Sequence, residues 1–146
     1  MSHKWKRTRG VIAMPDINRE KVCFVIVKAR ELQSEKEGLE SDASKPGDDK
    51  FVGAMSEEAY AAIRAELAAF IDAMDEDEQS ELIALAWIGR GEFTVEEWTT
   101  AVAEARRRRG RLASEYLLES PLLASHLEYG LAEFGESCEG READRR

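Results

Sequence analysis

The residues with the widest chemical reach in this 146-residue chain are a run of arginines, Arg106, Arg107, Arg108 and Arg109, followed past Gly110 by Arg111. Guanidinium groups grip phosphate and carboxylate oxygens through forked N–H pairs, so such a run points to a phosphate or to an acidic protein surface. Successive helical positions point about 100° apart, so these arginines circle a helix end and do not form one flat patch. The plainer reading is compensation of a helix dipole, with ion pairs to acidic neighbours. A nucleic-acid contact would draw further charge from Lys4, Lys6, Arg7 and Arg9, and a stacking ring from Trp5. The second candidate is the turn from Gly89 to Trp98, where Arg90 and Glu92 flank the aromatic residues Phe93 and Trp98. It suits a contact with another protein, and it suits equally a tight connection between two helices.

Other patterns carry less. Ala86 to Glu97 has the spacing of a calcium loop, with Gly91, Phe93 and Glu97 at positions six, eight and twelve. The ligand positions hold Ala86, Ile88 and Arg90, none of which ligates a hard cation, so no metal is expected there. His126 has Leu122, Tyr129 and Gly130 at helical spacing and no second metal ligand, which marks it as a boundary histidine. Cys23 sits among Val, Phe and Ile, where a thiol is inert, and Cys138 sits in a polar tail. Both are expected as free thiols, since this is not the cysteine pattern of a disulfide framework. Phosphate-binding glycine loops and nucleophile elbows are absent. No catalytic residue, cofactor or metal is assigned.

The positioning elements follow from composition and period. Residues 1–30 carry eight basic and two acidic groups, residues 31–105 five and twenty, and residues 106–146 eight and eight, giving the net charge of −9. The acidic middle repels a polyanion, so nucleic acid is the alternative partner and protein the preferred one. The apolar stretch Val11 to Met14 is shorter than the roughly 7 residues a signal sequence needs. Val22 to Val27 falls far short of the roughly 20 that span a bilayer, so the expected setting is cytoplasmic, with no membrane.

The pattern predicts an all-α fold, a compact bundle of about five helices. Residues 1–15 read as a flexible basic arm and 16–33 as a helix capped by Asn18, with Val22, Val25, Ile26, Ala29 and Leu32 on one face. The β-branched run 22–27 also suits a strand, but no second strand of that quality exists to pair with it. Residues 34–50, rich in Gly, Pro, Ser and Asp, read as a flexible linker. The helical domain spans 51–135 and a loose polar tail 136–146. Within the domain, Tyr60, Ile63, Leu67, Phe70 and Met74 form one stripe, and Asp75 caps a helix through Ile88 that is apolar on all sides and therefore central. Gly89-Arg90-Gly91 stops it. Thr94 and Glu97 then make a capping box, with Phe93 and Trp98 at the positions of a hydrophobic staple. The stripe Trp98, Ala101, Val102 and Ala105 leads to an end near Gly110, and Ser120-Pro121 opens a last helix through Leu123, Leu127, Leu131 and Phe134, closed by Gly135.

The segments ELIALAWIGRGEFTVEEWTTAVAEA and EYLLESPLLASHLEYGLAEFG, with DEDEQ and KVCFVIVKARE before them, resemble a small bacterial family, domain of unknown function 3775. Its most specific parts here are Ala86 to Gly91, Tyr116 to Leu118 and Pro121 to Leu123. The resemblance implies a bacterial helical domain and carries no activity with it. The expected function is a non-catalytic helical interaction module. Arg90, Glu92, Phe93 and Trp98 are the candidate partner contacts, and Arg106 to Arg109 with Arg111 the alternative phosphate contacts. An enzyme of unrecognised type is the third alternative.

Overall fold

The computed structural model describes residues 13–43, 50–108 and 111–138. They form six α-helices: α1 (Arg19–Ala43), α2 (Lys50–Asp72), α3 (Glu76–Gly89), α4 (Trp98–Arg106), α5 (Ala113–Leu117) and α6 (Leu123–Glu133). A 3-10 turn, Val95–Glu97, leads into α4, and no strand occurs among the described residues.

The central position of α3 follows from its sequence, which offers no polar face after its first turn. Every residue from Ser80 to Ile88 is buried. α4 and α6 pack on it directly, and α1 closes the bundle against α2 and α6. Burying a Leu or Ile fully is worth about 1.5–3 kcal/mol, which is why this helix organises the core. The stripes read from the sequence point inward as expected: Val22, Val25, Ile26, Ala29 and Leu32 of α1, Trp98, Ala101, Val102 and Ala105 of α4, and Leu123, Leu127 and Leu131 of α6. α2 buries Leu67 and Ile71 fully, with Tyr60, Ile63 and Phe70 half-covered beside them, and Met74, just past its end, is buried as well.

The helix ends are built from local hydrogen bonds. Asn18 Oδ1 accepts from the Glu20 amide at 2.7 Å, and Asp75 and Glu78 form a capping box at the head of α3. Thr94 and Glu97 form a second box, with the Thr94 amide donating to the Glu97 carboxylate at 2.8 Å. α3 ends as the glycine pattern predicts. Gly91 takes φ of +85°, a conformation that side chains with Cβ rarely adopt, and the Glu92 amide turns back to Trp87 O at 3.0 Å. Gly135 closes α6 in the same way, with the Glu136 amide donating to Leu131 O.

The structure corrects several expectations. The flexible linker expected at 34–50 is helix from 34 to 43, a continuation of α1. Glu and Lys there are good helix formers, and their polarity marks an exposed face. The rest of that segment up to 49 lies outside the described residues, as do most of the arm and tail and Arg109-Gly110. α2 begins at Lys50. α4 ends at Arg106, and a separate short α5 follows. The last helix starts at Leu123 and not at Pro121, because residues 120–122 make a turn in which Ser120 Oγ accepts from the Leu122 amide at 3.2 Å.

The largest correction concerns the cysteines. Cys23 and Cys138 form a disulfide across a sequence separation of 115, with Cα atoms 5.8 Å apart. The start of the expected loose tail is therefore docked on α1. Glu136 is buried there and pairs with Arg19, itself buried. The last residues of the expected arm are docked too. Met14 lies against the core, and the amides of Asp16 and Ile17 donate to Glu81 Oε1 at 2.8 and 2.7 Å.

Candidate functional site

The turn after α3 and the arginines after α4 are about twenty residues apart in the chain, and the fold sets them on one face. Tyr116 of α5 joins them. Its hydroxyl accepts from Trp87 Nε1 at 2.9 Å, the Arg90 guanidinium lies close beside it, and the Arg108 guanidinium lies 3.7 Å from the centre of its ring. Trp87 meets the Tyr116 ring edge-on at 6.5 Å and stacks on Phe93 at 5.7 Å. The result is a connected row, Phe93, Trp87, Tyr116 and Arg108, with Arg90 and its ion-pair partner Glu92 on its flank.

The local reason for this arrangement lies at the α3–α6 crossing. A Cβ on Gly89 would lie 1.7 Å from His126 O, and one on Gly130 would lie 2.4 Å from Leu85 O, so only glycine permits the helices to approach this closely. The same approach places His126 beside the turn. Partial burial, then the charge of Arg90, hold its imidazole below the ordinary value, so it stays uncharged near neutral pH.

Of the four residues expected as partner contacts, Arg90 and Glu92 are exposed and Phe93 is half-covered. Trp98 is withdrawn from the surface. It is 3% exposed and meets Phe134 edge-on at 5.4 Å. Phe93 and Trp98 thus pair with different rings, Trp87 and Phe134, where a staple would pair them with each other. The reason is the central helix. Its aromatic side chain offers Phe93 a larger apolar surface than the cap does.

The arginines divide into two kinds. Arg106 pairs with Asp77 at 2.7 Å, Arg107 with Glu104 at 2.6 Å and Arg111 with Glu119 at 2.5 Å, all at exposed positions. Arg108 stacks on Tyr116 and has no carboxylate partner among the described residues. Arg109 lies outside them. Between the first turns of α3, the end of α4 and α5 lies a polar cleft of about 170 Å³. Arg106, Arg108, Arg111 and Tyr116 line it. A mainly apolar recess of about 50 Å³ lies elsewhere, between α1, α2 and the turn before α6.

Among the described residues, no group of three or more His, Cys, Asp or Glu side chains is placed to hold a metal ion. No helix among them is long and apolar enough to cross a membrane. Tyr116 is the residue that reading the sequence missed as a site. Its only signal was its place in a segment carrying the family resemblance, and the structure brings that segment against the other one, Ala86 to Gly91. Residues 64–135 match the model of a family described as protein of unknown function (DUF3775). No curated protein and no solved structure matches the chain significantly.

Proposed function

From a chain whose residues 64–135 match the DUF3775 family model, we propose a non-catalytic helical module that binds a partner protein through the row of Phe93, Tyr116 and Arg108 with Arg90 and Glu92. One observation carries the reading. Two guanidinium groups from different elements converge on Tyr116, and one of them, Arg108, is left without a carboxylate partner among the described residues. Exposed Arg and Tyr side chains held rigid by stacking are the residue types that dominate protein contacts, because little conformational freedom remains to be lost on binding. Nucleic acid is the weaker reading. The segment 31–105 of the same small chain carries twenty acidic groups against five basic ones, which repels an extended polyanion. Bacterial origin belongs to this proposal and rests on the family resemblance; a cytoplasmic setting belongs to it too and rests on the shortness of the apolar stretches, with the Cys23–Cys138 disulfide weighing against it.

The test is capture from native lysate with the protein as bait, against a double charge reversal, Glu92→Lys with Arg108→Glu. Retention of a protein that survives nuclease treatment and is lost with the reversal is the expected result. Equal retention by both baits, or loss on nuclease treatment, would overturn it. Both substitutions are at exposed positions, and equal circular-dichroism melts confirm that the fold is kept.

A further inference from the structure

The cleft beside Tyr116 shares Arg108 with the partner-binding row and adds Arg106 and Arg111, which that row does not use. Three arginines line it, Arg106, Arg108 and Arg111, against one carboxylate, Glu76. Asp77 and Glu119, which pair with Arg106 and Arg111, stand outside the lining with side chains 78% and 56% exposed. Such pairs contribute little and exchange readily for a better acceptor. The Arg108 guanidinium carbon lies 3.7 Å over the Tyr116 ring, a cation–π contact that uses none of its N–H groups on a carboxylate and leaves them for a ligand. One lateral face of α3, with Glu76, Gln79, Ser80 and Ile83, forms another wall and adds polar side chains to the lining. At about 170 Å³ the space is ample, since one water needs about 10–15 Å³.

We propose that this cleft is a binding site for a compact phosphate dianion, held between Arg106, Arg108 and Arg111. A tetrahedral anion presents enough oxygens to meet guanidinium groups arriving from several sides, whereas one carboxylate is satisfied by a single fork. An extended polyanion is disfavoured, because the exposed carboxylates of Asp77 and Glu119 stand outside the lining beside the arginines. The site does not depend on the partner-binding reading. Arg111 and Glu76 belong to the cleft alone.

The experiment is an NMR titration of the arginine Nε–Hε resonances of the whole chain at constant ionic strength. Its arms are inorganic phosphate, phosphoserine as a phosphomonoester, and succinate. Saturable shifts at Arg106, Arg108 and Arg111 with phosphate or phosphoserine, and none with succinate, are expected. Tighter binding of phosphoserine assigns a covalently borne phosphate as the ligand, and tighter binding of inorganic phosphate assigns the free ion. Arg111→Gln should weaken binding about tenfold, the size of one lost charge-assisted contact. Glu76→Gln should tighten it, and Arg107→Gln, outside the lining, should leave it unchanged. No saturation, equal binding of succinate, an equal loss with Arg107→Gln, or tighter binding of a single-stranded oligonucleotide than of either phosphate overturns the proposal.

Discussion

Arg19 and Glu136 meet out of water at one end of α1, while Arg106 and Asp77 meet in water at the end of α4. The chemistry of the two pairs is alike, and their consequences are opposite. Removing one member of the first leaves a charge stranded in the interior, where it cannot be hydrated. Removing one member of the second leaves a hydrated side chain that loses almost nothing. Around the buried pair, Glu81 receives the amides of Asp16 and Ile17, and the disulfide ties residue 138 to α1. That end of the molecule holds the chain together. The arginine face is held only by exposed ion pairs, which contribute little.

The sharpest way to break this comparison is to cut one pair of each kind. Glu136→Ala, which strands Arg19, should lower stability by about 3–5 kcal/mol in urea unfolding. Arg106→Gln should change it by no more than about 0.5 kcal/mol. Similar midpoints for the two variants would erase the distinction between the regions.

Reducing the disulfide is expected to have the next largest effect. Excess dithiothreitol should cost about 2–4 kcal/mol, as is usual for bridges closing long loops. Two thiols reacting with Ellman's reagent in the unreduced, unfolded protein would mean that Cys23 and Cys138 are not joined.

The smallest effect is a change of slope with pH. Burial, working against the two backbone hydrogen bonds it accepts, holds the Glu81 carboxyl above its ordinary value of 4.5. The folded state therefore favours the protonated form. That contribution to stability is complete below pH 4.5 and is lost as pH rises through the folded-state value. Glu81→Gln removes the titration, so the stability of the natural protein relative to this variant should decline across that window. Parallel stability curves would show that Glu81 titrates as it does in the unfolded chain.

Much of the fold was legible because it depends on neighbours three or four residues apart. The stripes of α1, α4 and α6, the all-round apolar character of α3, the caps at Asn18, Asp75 and Thr94, and the stops at Gly91 and Gly135 are all local signals. The extension of α1 to residue 43 was missed because a polar helix and a polar linker share a composition, and only the helix's own hydrogen bonds separate them. Of the candidate site, the residue types were legible at Arg90, Phe93 and Arg108. Their meeting was not.

The amino-acid sequence by itself determined which residues are helical, which faces are apolar and where most helices stop, since these follow from side-chain period and from capping groups within one turn. Only the tertiary structure decided that Cys23 meets Cys138, that Arg19 meets Glu136, that Trp98 turns inward to Phe134, and that Arg90 and Arg108 converge on Tyr116. Each of these joins residues at least eight positions apart in the chain, beyond the reach of any local period. Their pairing depends on how the helices pack, and at the contact between α3 and α6 only Gly89 and Gly130 allow so close an approach.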